Sequence, residues 1–124
     1  MSWQAWADTI TNAGFKCGAI YGQQGGCWAQ SNGCTLSDEE FQKISHGFQD
    51  VSQLGQTGLV VNGIKYFALL CDDTTLRGKK GDNGVLIIKS NQAIVIGVFD
   101  SRMQPGEANL KLDDVVKNLK NSGY

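Results

Sequence analysis

Apolar residues recur along the chain with two different periods, and the switches between them mark its elements. Trp3, Trp6, Ile10 and Ala13 repeat at helical spacing behind Ser2, a good helix cap, and Gly14 stands where that helix would end. Residues 17 to 21 and 27 to 30 are short apolar runs separated by Gly22-Gln23-Gln24-Gly25-Gly26, which predicts two strands joined by a turn-rich connection. Ser37-Asp38-Glu39-Glu40 then fits a capping box, and Leu36 with Phe41 fits the hydrophobic staple around it. Phe41, Ile44, Phe48 and Val51 form the buried stripe of this second helix.

The pattern next turns to strands. Val60-Val61-Asn62-Gly63-Ile64-Lys65 sets Asn-Gly between two β-prone runs, a strong hairpin signal because both turn residues tolerate positive φ. Residues 64 to 71 should form a strand, and the runs 85 to 88 and 93 to 99, joined by Lys89-Ser90-Asn91-Gln92, a second hairpin. A last helix follows Pro105-Gly106, burying Leu112, Val115, Val116 and Leu119, with Asp113 and Asp114 early, Lys117 and Lys120 late, and Gly123 as its C-terminal cap. With no alternation of strand and helix, the order predicts an α+β domain, an antiparallel sheet with helices packed on its faces.

Composition narrows the function. The 124 residues fit a single domain, residues 1 to 124, with no internal repeat or linker. Eleven basic against twelve acidic side chains give a net charge of -1, so the broad positive footprint of a nucleic-acid binder is missing and any basic function must be local. No apolar run approaches the roughly 20 residues needed to cross a bilayer, and no signal-like segment opens the chain, so a soluble cytoplasmic protein is expected. Cys17, Cys27, Cys34 and Cys71 include no C-x-x-C pair, which argues against a structural zinc and for reduced thiols; Cys17, Cys27 and Cys71 fall in apolar runs as small hydrophobes. No cofactor is implied.

An enzyme would have to use His46, the single histidine, which sits beside the apolar stripe of the second helix. The paired acids at 38 to 40, 72 to 73 and 113 to 114 belong to helix starts and a turn, so no acid/base pair emerges. Residues 76 to 84 concentrate Arg77, Lys79 and Lys80 with three glycines. This segment reads either as a solvated hairpin turn or as a patch for an acidic protein or phosphoinositide head groups, where each cation adds about 1 kcal/mol near an anionic membrane. Aromatics are the sharper signal. Trp3, Trp6, Trp28 and Tyr124 combine flat apolar faces with N–H and O–H donors, the equipment needed to hold a stiff polyproline II ligand; the alternative is that some of them fill the core.

These residues also carry a family likeness. Met1-Ser2-Trp3-Gln4, Trp28-Ala29-Gln30-Ser31, Thr57-Gly58-Leu59 with Lys65-Tyr66, Arg77-Gly78-Lys79-Lys80-Gly81, Asn91-Gln92-Ala93, Met103 with Pro105-Gly106, Asn109 and Gly123-Tyr124 occur in order from end to end. By them the chain resembles profilin, of the shorter plant and protist type. The resemblance implies a central antiparallel sheet with the first and last helices side by side on one face and further helices opposite. It also implies a non-enzymatic regulator of actin polymerisation that binds monomeric actin, proline-rich proteins and phosphoinositide head groups, working as a monomer in the cytoplasm and on the cytoskeleton. By position, the polyproline groove would use Trp3, Trp6, Trp28 and Tyr124. Actin would be met by Arg77, Lys79, Lys89, Met103, Pro105, Gly106 and Asn109, and phosphoinositide by Arg77, Lys79 and Lys80.

Three positions depart from the family pattern. Position 6 is commonly Tyr in profilins, so Trp6 exchanges a hydroxyl for a larger ring with an N–H. Asn118 and Lys120 stand where an aromatic or histidine and an aliphatic residue are common, which implies a narrower groove. Two other classes remain open on the residues alone: a sensor or scaffold domain holding a small ligand between helix and sheet, and a phosphoinositide-handling enzyme.

Overall fold

Seven strands form one sheet in the order β2-β1-β7-β6-β5-β4-β3, every pair antiparallel. The structure, a computed structural model, describes residues 3 to 30, 36 to 49 and 58 to 124. The strands are β1 (Cys17–Gly22), β2 (Cys27–Gln30), β3 (Leu59–Val61), β4 (Ile64–Cys71), β5 (Thr75–Lys80), β6 (Asn83–Lys89) and β7 (Ala93–Phe99). The helices among the described residues are α1 (Trp3–Asn12), α2 (Asp38–Gln49) and α3 (Pro105–Asn121). The expected Ser2 cap, the stripe residue Val51, Cys34 and the matching residues Ser31 and Thr57 lie outside the described residues.

Successive side chains of a strand face opposite ways, so a strand covered on both faces reads as an unbroken apolar run. That is the case for β6 and β7. Val85, Ile87, Ile94 and Ile96 join one core cluster with Phe41, Ile44 and Phe48 of α2. Leu86, Ile88 and Val95 join a second with Ile10 of α1 and Leu112, Val116 and Leu119 of α3. The first and last helices therefore share one face of the sheet, and α2 lies on the other, as the predicted α+β layering requires.

Local signals account for the ends of the elements. The hydroxyl of Ser37 accepts from the Glu40 N–H at 3.1 Å while Glu40 Oε1 accepts from the Ser37 N–H at 2.9 Å, which completes the capping box. Glu40 Oε2 also accepts from the Gly63 N–H at 2.7 Å, tying α2 to the β3–β4 turn. In that turn Asn62 and Gly63 have φ of 53° and 76°, the two left-handed residues that a tight right-twisting hairpin demands.

Two expectations need correction. Residues 76 to 84 are mostly strand: β5 runs to Lys80, and only Gly81 and Asp82 form the turn. Its period-2 signal is hidden because the buried positions are Leu76 and Gly78, the second an apolar site without a side chain. Of the cysteines taken as small hydrophobes, Cys17 is buried, but Cys71 is half-buried and Cys27 exposed, because β2 and β4 lie near the sheet margins where one face meets solvent.

Candidate functional site

Trp3 opens α1, Trp28 lies on β2, and Tyr124 follows α3, yet their rings meet. The Trp3 ring centroid is 4.8 Å from that of Trp28 and 4.8 Å from that of Tyr124, and Trp28 and Tyr124 are 5.9 Å apart. The pairs are tilted or edge-to-face, the arrangements that ring quadrupoles favour.

Each ring has an identifiable support. In the β1–β2 ladder Ile20 pairs with Ala29 and Tyr21 with Cys27, which leaves Trp28 as the extra residue of a bulge. A bulge turns its side chain out of the strict alternation. Trp28 lies on the α1/α3 side, across the backbone of Gly22: a Cβ there would come within 2.9 Å of the indole Nε1. Trp3 is carried by α1, which sits so close to β1 that a Cβ on Gly18 would overlap Ile10. At the other end of α1, Lys111 Nζ of α3 donates to the Ala13 carbonyl at 2.7 Å. Tyr124 is placed by a Schellman ending: the Tyr124 N–H donates to the Leu119 carbonyl at 2.9 Å and the Gly123 N–H to that of Lys120 at 3.0 Å, with Gly123 at φ 96°.

These rings are neither sealed nor loose. Trp3, Trp6 and Trp28 are half-buried against the α1/α3 core, and Tyr124 is 36% exposed. Trp6 lies one helical turn beyond Trp3 on the same core, outside the three-ring contact. Asn118 and Lys120, the other departures noted in the sequence, are exposed on the last turns of α3. The result is a platform with one apolar side anchored and the other open to solvent.

A second feature lies toward the opposite margin of the sheet. A cavity of about 340 Å³ between the β5–β6 turn and the start of α3 is lined by Arg77, Lys79, Met103 and Pro105, four of the seven residues assigned to actin. Met103 is only 5% exposed and forms a wall, whereas Lys79 and Pro105 are open. Gly106 and Asn109 follow in the first turns of α3. Lys89 is not part of this group: at the far end of β6 it sits 5.6 Å over the Phe48 ring of α2, a cation–π contact on the other face. Alternation along β5 likewise sends Lys80 away from Arg77 and Lys79.

The local field is mixed. Asp82 and Asp100 line the same cavity as Arg77 and Lys79. Hydrogen bonds from the Arg102 side chain and backbone hold the Asp100 carboxyl below the usual aspartate range, so it is ionised at neutral pH. Arg77 Nε is buried and has no hydrogen-bond partner among the described residues.

Phe67, Leu69 and Leu70 were not singled out from the sequence. They are 78%, 57% and 41% exposed, an unusual concentration for three apolar residues on one strand. Phe67 pairs with Lys79 and Leu70 with Arg77, so this apolar patch and the two cations share a face, and Leu69, the unpaired residue of a second bulge, reaches the cavity. The available signal was an apolar run of both parities on a strand carrying Lys65 and followed by Asp72-Asp73, too polar a setting for complete burial. His46 is exposed on α2, away from the paired acids of the β4–β5 turn and α3.

Comparison with known proteins agrees with this fold. The Profilin family model matches residues 1–124. Profilin-1 of Dictyostelium discoideum is 35% identical over 126 aligned residues, covering 100% of both chains. The crystal structure of Acanthamoeba castellanii profilin II superposes with a TM-score of 0.92 at 31% identity over 99% of this chain and 100% of that one. Mouse profilin IIa, solved in complex with a double repeat from the FH1 domain of mDia1, shares the fold at a TM-score of 0.83 and 20% identity, covering 100% of both chains. The chain belongs to the profilin family, whose members are actin-binding regulators and not enzymes.

Proposed function

We propose that this profilin holds an actin monomer on the face around Arg77 and Lys79 and a proline-rich segment on the rings of Trp3, Trp6, Trp28 and Tyr124. The observation that carries the second half is the convergence of rings from both chain ends and β2, with Trp3 4.8 Å from each of its neighbours. A polyproline II segment has no internal hydrogen bonds and little entropy to lose, so a preformed row of half-exposed rings with N–H and O–H groups suits it. The mouse relative bound to an FH1 repeat supports the same ligand class.

For actin, the supporting feature is a mixed surface: Phe67, Leu69 and Leu70 supply apolar area beside Arg77 and Lys79, with Pro105, Gly106 and Asn109 across the cavity and Met103 as its wall. Protein interfaces commonly combine an apolar centre with a polar rim, and arginine is enriched in them. Lys89, on the α2 side, would extend this contact only around the edge of the sheet. Phosphoinositide head groups are a further ligand proposed for Arg77 and Lys79 on one face of β5 and Lys80 on the other, at the hairpin end; Asp82 and Asp100 beside the first two partly offset their charge. The proposed setting is the cytoplasm and the actin cytoskeleton, with the protein as a monomer.

The test is calorimetric titration with a proline decamer and with monomeric actin, separately and then together. Both should bind, and prior saturation with one should leave the affinity for the other within about twofold, since separated sites are energetically independent. Mutual exclusion would overturn the two-surface arrangement.

A further inference from the structure

Ser90 is the buried polar residue of the core among the described residues, 5% exposed in the turn between β6 and β7. Burying a hydroxyl is costly unless it is hydrogen-bonded, so its partners indicate what it is for. Its oxygen accepts from the Ala93 N–H at 2.9 Å. Its single proton has two acceptors in reach: the Ala93 carbonyl at 3.3 Å and the main-chain oxygen of Tyr124 at 3.0 Å. The Ala93 carbonyl already takes the Ser90 N–H at 2.8 Å, and the Tyr124 oxygen is closer, so the hydroxyl proton goes to Tyr124.

The turn holds the chain end by more than this bond. The Gln92 N–H donates to the same Tyr124 oxygen at 2.6 Å, and Gln92 Nε2 reaches the Gly123 carbonyl at 3.4 Å. On its other side the turn grips the loop that leads to Trp28: Gln23 Nε2 donates to the Ser90 carbonyl at 2.6 Å, and the Gln23 N–H to the Gln92 carbonyl at 2.9 Å. Two of the three touching rings therefore belong to segments bound to one three-residue turn that contributes no ring itself.

We infer that Ser90 is a positioning residue for the aromatic platform, fixing the Tyr124 ring against Trp3 and Trp28 by holding the Tyr124 main chain. It touches no ligand. Its effect on a proline-rich ligand rests on the polyproline reading above; its effect on ring placement does not.

The experiment compares the full chain with Ser90→Ala, Ser90→Thr, Tyr124→Ala and the double variant Ser90→Ala/Tyr124→Ala. Near-ultraviolet circular dichroism reads the ring contacts without any ligand. Ser90→Ala should reduce that signal while far-ultraviolet dichroism and actin affinity stay within experimental error, and Ser90→Thr, which keeps the hydroxyl, should restore it. Calorimetry with a proline decamer should give Ser90→Ala roughly threefold to tenfold weaker binding, the loss expected for one hydrogen bond to an ordered group. In the Tyr124→Ala background the same substitution should change proline affinity by less than about twofold, because the group it positions is gone. Equal losses in both backgrounds, or an unchanged near-ultraviolet signal in Ser90→Ala, would overturn the inference. If the unmodified chain fails to bind the decamer, the polyproline reading falls alone, and the dichroism still decides for or against Ser90.

Discussion

Replacing Trp3 by alanine separates the two proposed surfaces. In the folded protein Trp3 contacts two rings, each worth about 0.5–1.5 kcal/mol beyond area burial, so losing the ring contacts costs the fold about 1–3 kcal/mol, to which its half-buried apolar surface adds roughly 1–2 kcal/mol. Domains of this size are stable by about 5–15 kcal/mol, and Trp3 is only half-buried at the start of α1, so the variant stays folded at room temperature. Its proline affinity should fall. Trp3 makes the two shorter of the three ring contacts, the central position of an interface hot spot, where truncation costs about 2 kcal/mol or more and binding weakens roughly 30-fold.

Actin binding should not follow. From β2 to β5 the strand order takes four steps, each about 4.8 Å, so the platform and the Arg77 cavity lie on the order of 19 Å apart. Sites more than about 7–10 Å apart with no shared partners couple weakly, and the actin dissociation constant should stay within about twofold. Calorimetry with a proline decamer and fluorescence titration with labelled monomeric actin, on protein checked by far-ultraviolet dichroism, measure both. A folded variant that loses actin binding as well, or that binds proline within threefold of the unmodified chain, would refute the assignment of the rings to a separate proline site.

Charge reversal at Lys79, exposed beside Phe67, should weaken actin at least about tenfold and leave the decamer unaffected, because like-charge contact at an interface costs several kcal/mol. Gly18→Ala should destabilise the fold by about 1–3 kcal/mol in chemical denaturation, since its Cβ overlaps Ile10 and α1 must lift from β1; unchanged stability would mean that this packing is looser than described. Asp72 supplies a pH dependence. Burial raises its pKa, but the Thr74 and Thr75 N–H groups and the Thr74 hydroxyl outweigh that and leave it lowered in the folded state. A lowered folded pKa gives stability that is full above the unfolded value of roughly 4 and is lost as pH falls through the folded one. The stability gap between the unmodified chain and Asp72→Asn should therefore be constant at neutral pH and shrink on acidification below about pH 4; a gap that widens there would show the opposite shift.

How far the sequence disclosed the fold depended on whether each signal was local. The capping box at Ser37 and Glu40, the Asn62-Gly63 turn and the Gly123 ending are set by side chains within a few residues, and each formed where its chemistry required. Strand β5 was hidden because its core-facing Gly78 has no side chain to register in a hydrophobic pattern. At the ring site, residue types disclosed the platform, but the roles of Ser90 and Gln92 were not legible. A turn of Lys-Ser-Asn-Gln reads as solvated until the chain end, 34 residues after Ser90, is seen to lie on it. The Phe67, Leu69 and Leu70 patch was obscured for the opposite reason: an apolar run predicts burial, and nothing local shows that α1 and α3 stop short of β4.

Both proposed surfaces are built where the sheet breaks its own alternation. Trp28 is the extra residue of one bulge, near the β2 margin, and Leu69 the extra residue of another, on β4 near the opposite margin. A residue outside the ladder can turn to a face that its parity forbids, which brings Trp28 onto Gly22 beside Trp3 and Leu69 toward the cavity by Arg77. Between them lie β1, β7 and β6, buried on both faces and close-packed, so they act as a stiff spacer. A stiff spacer fixes the distance between two occupants without transmitting a change from one to the other. For the proposed function that is the useful arrangement: binding one ligand does not weaken the other, and a proline-rich tether brings the loaded monomer to its target at raised local concentration through geometry alone.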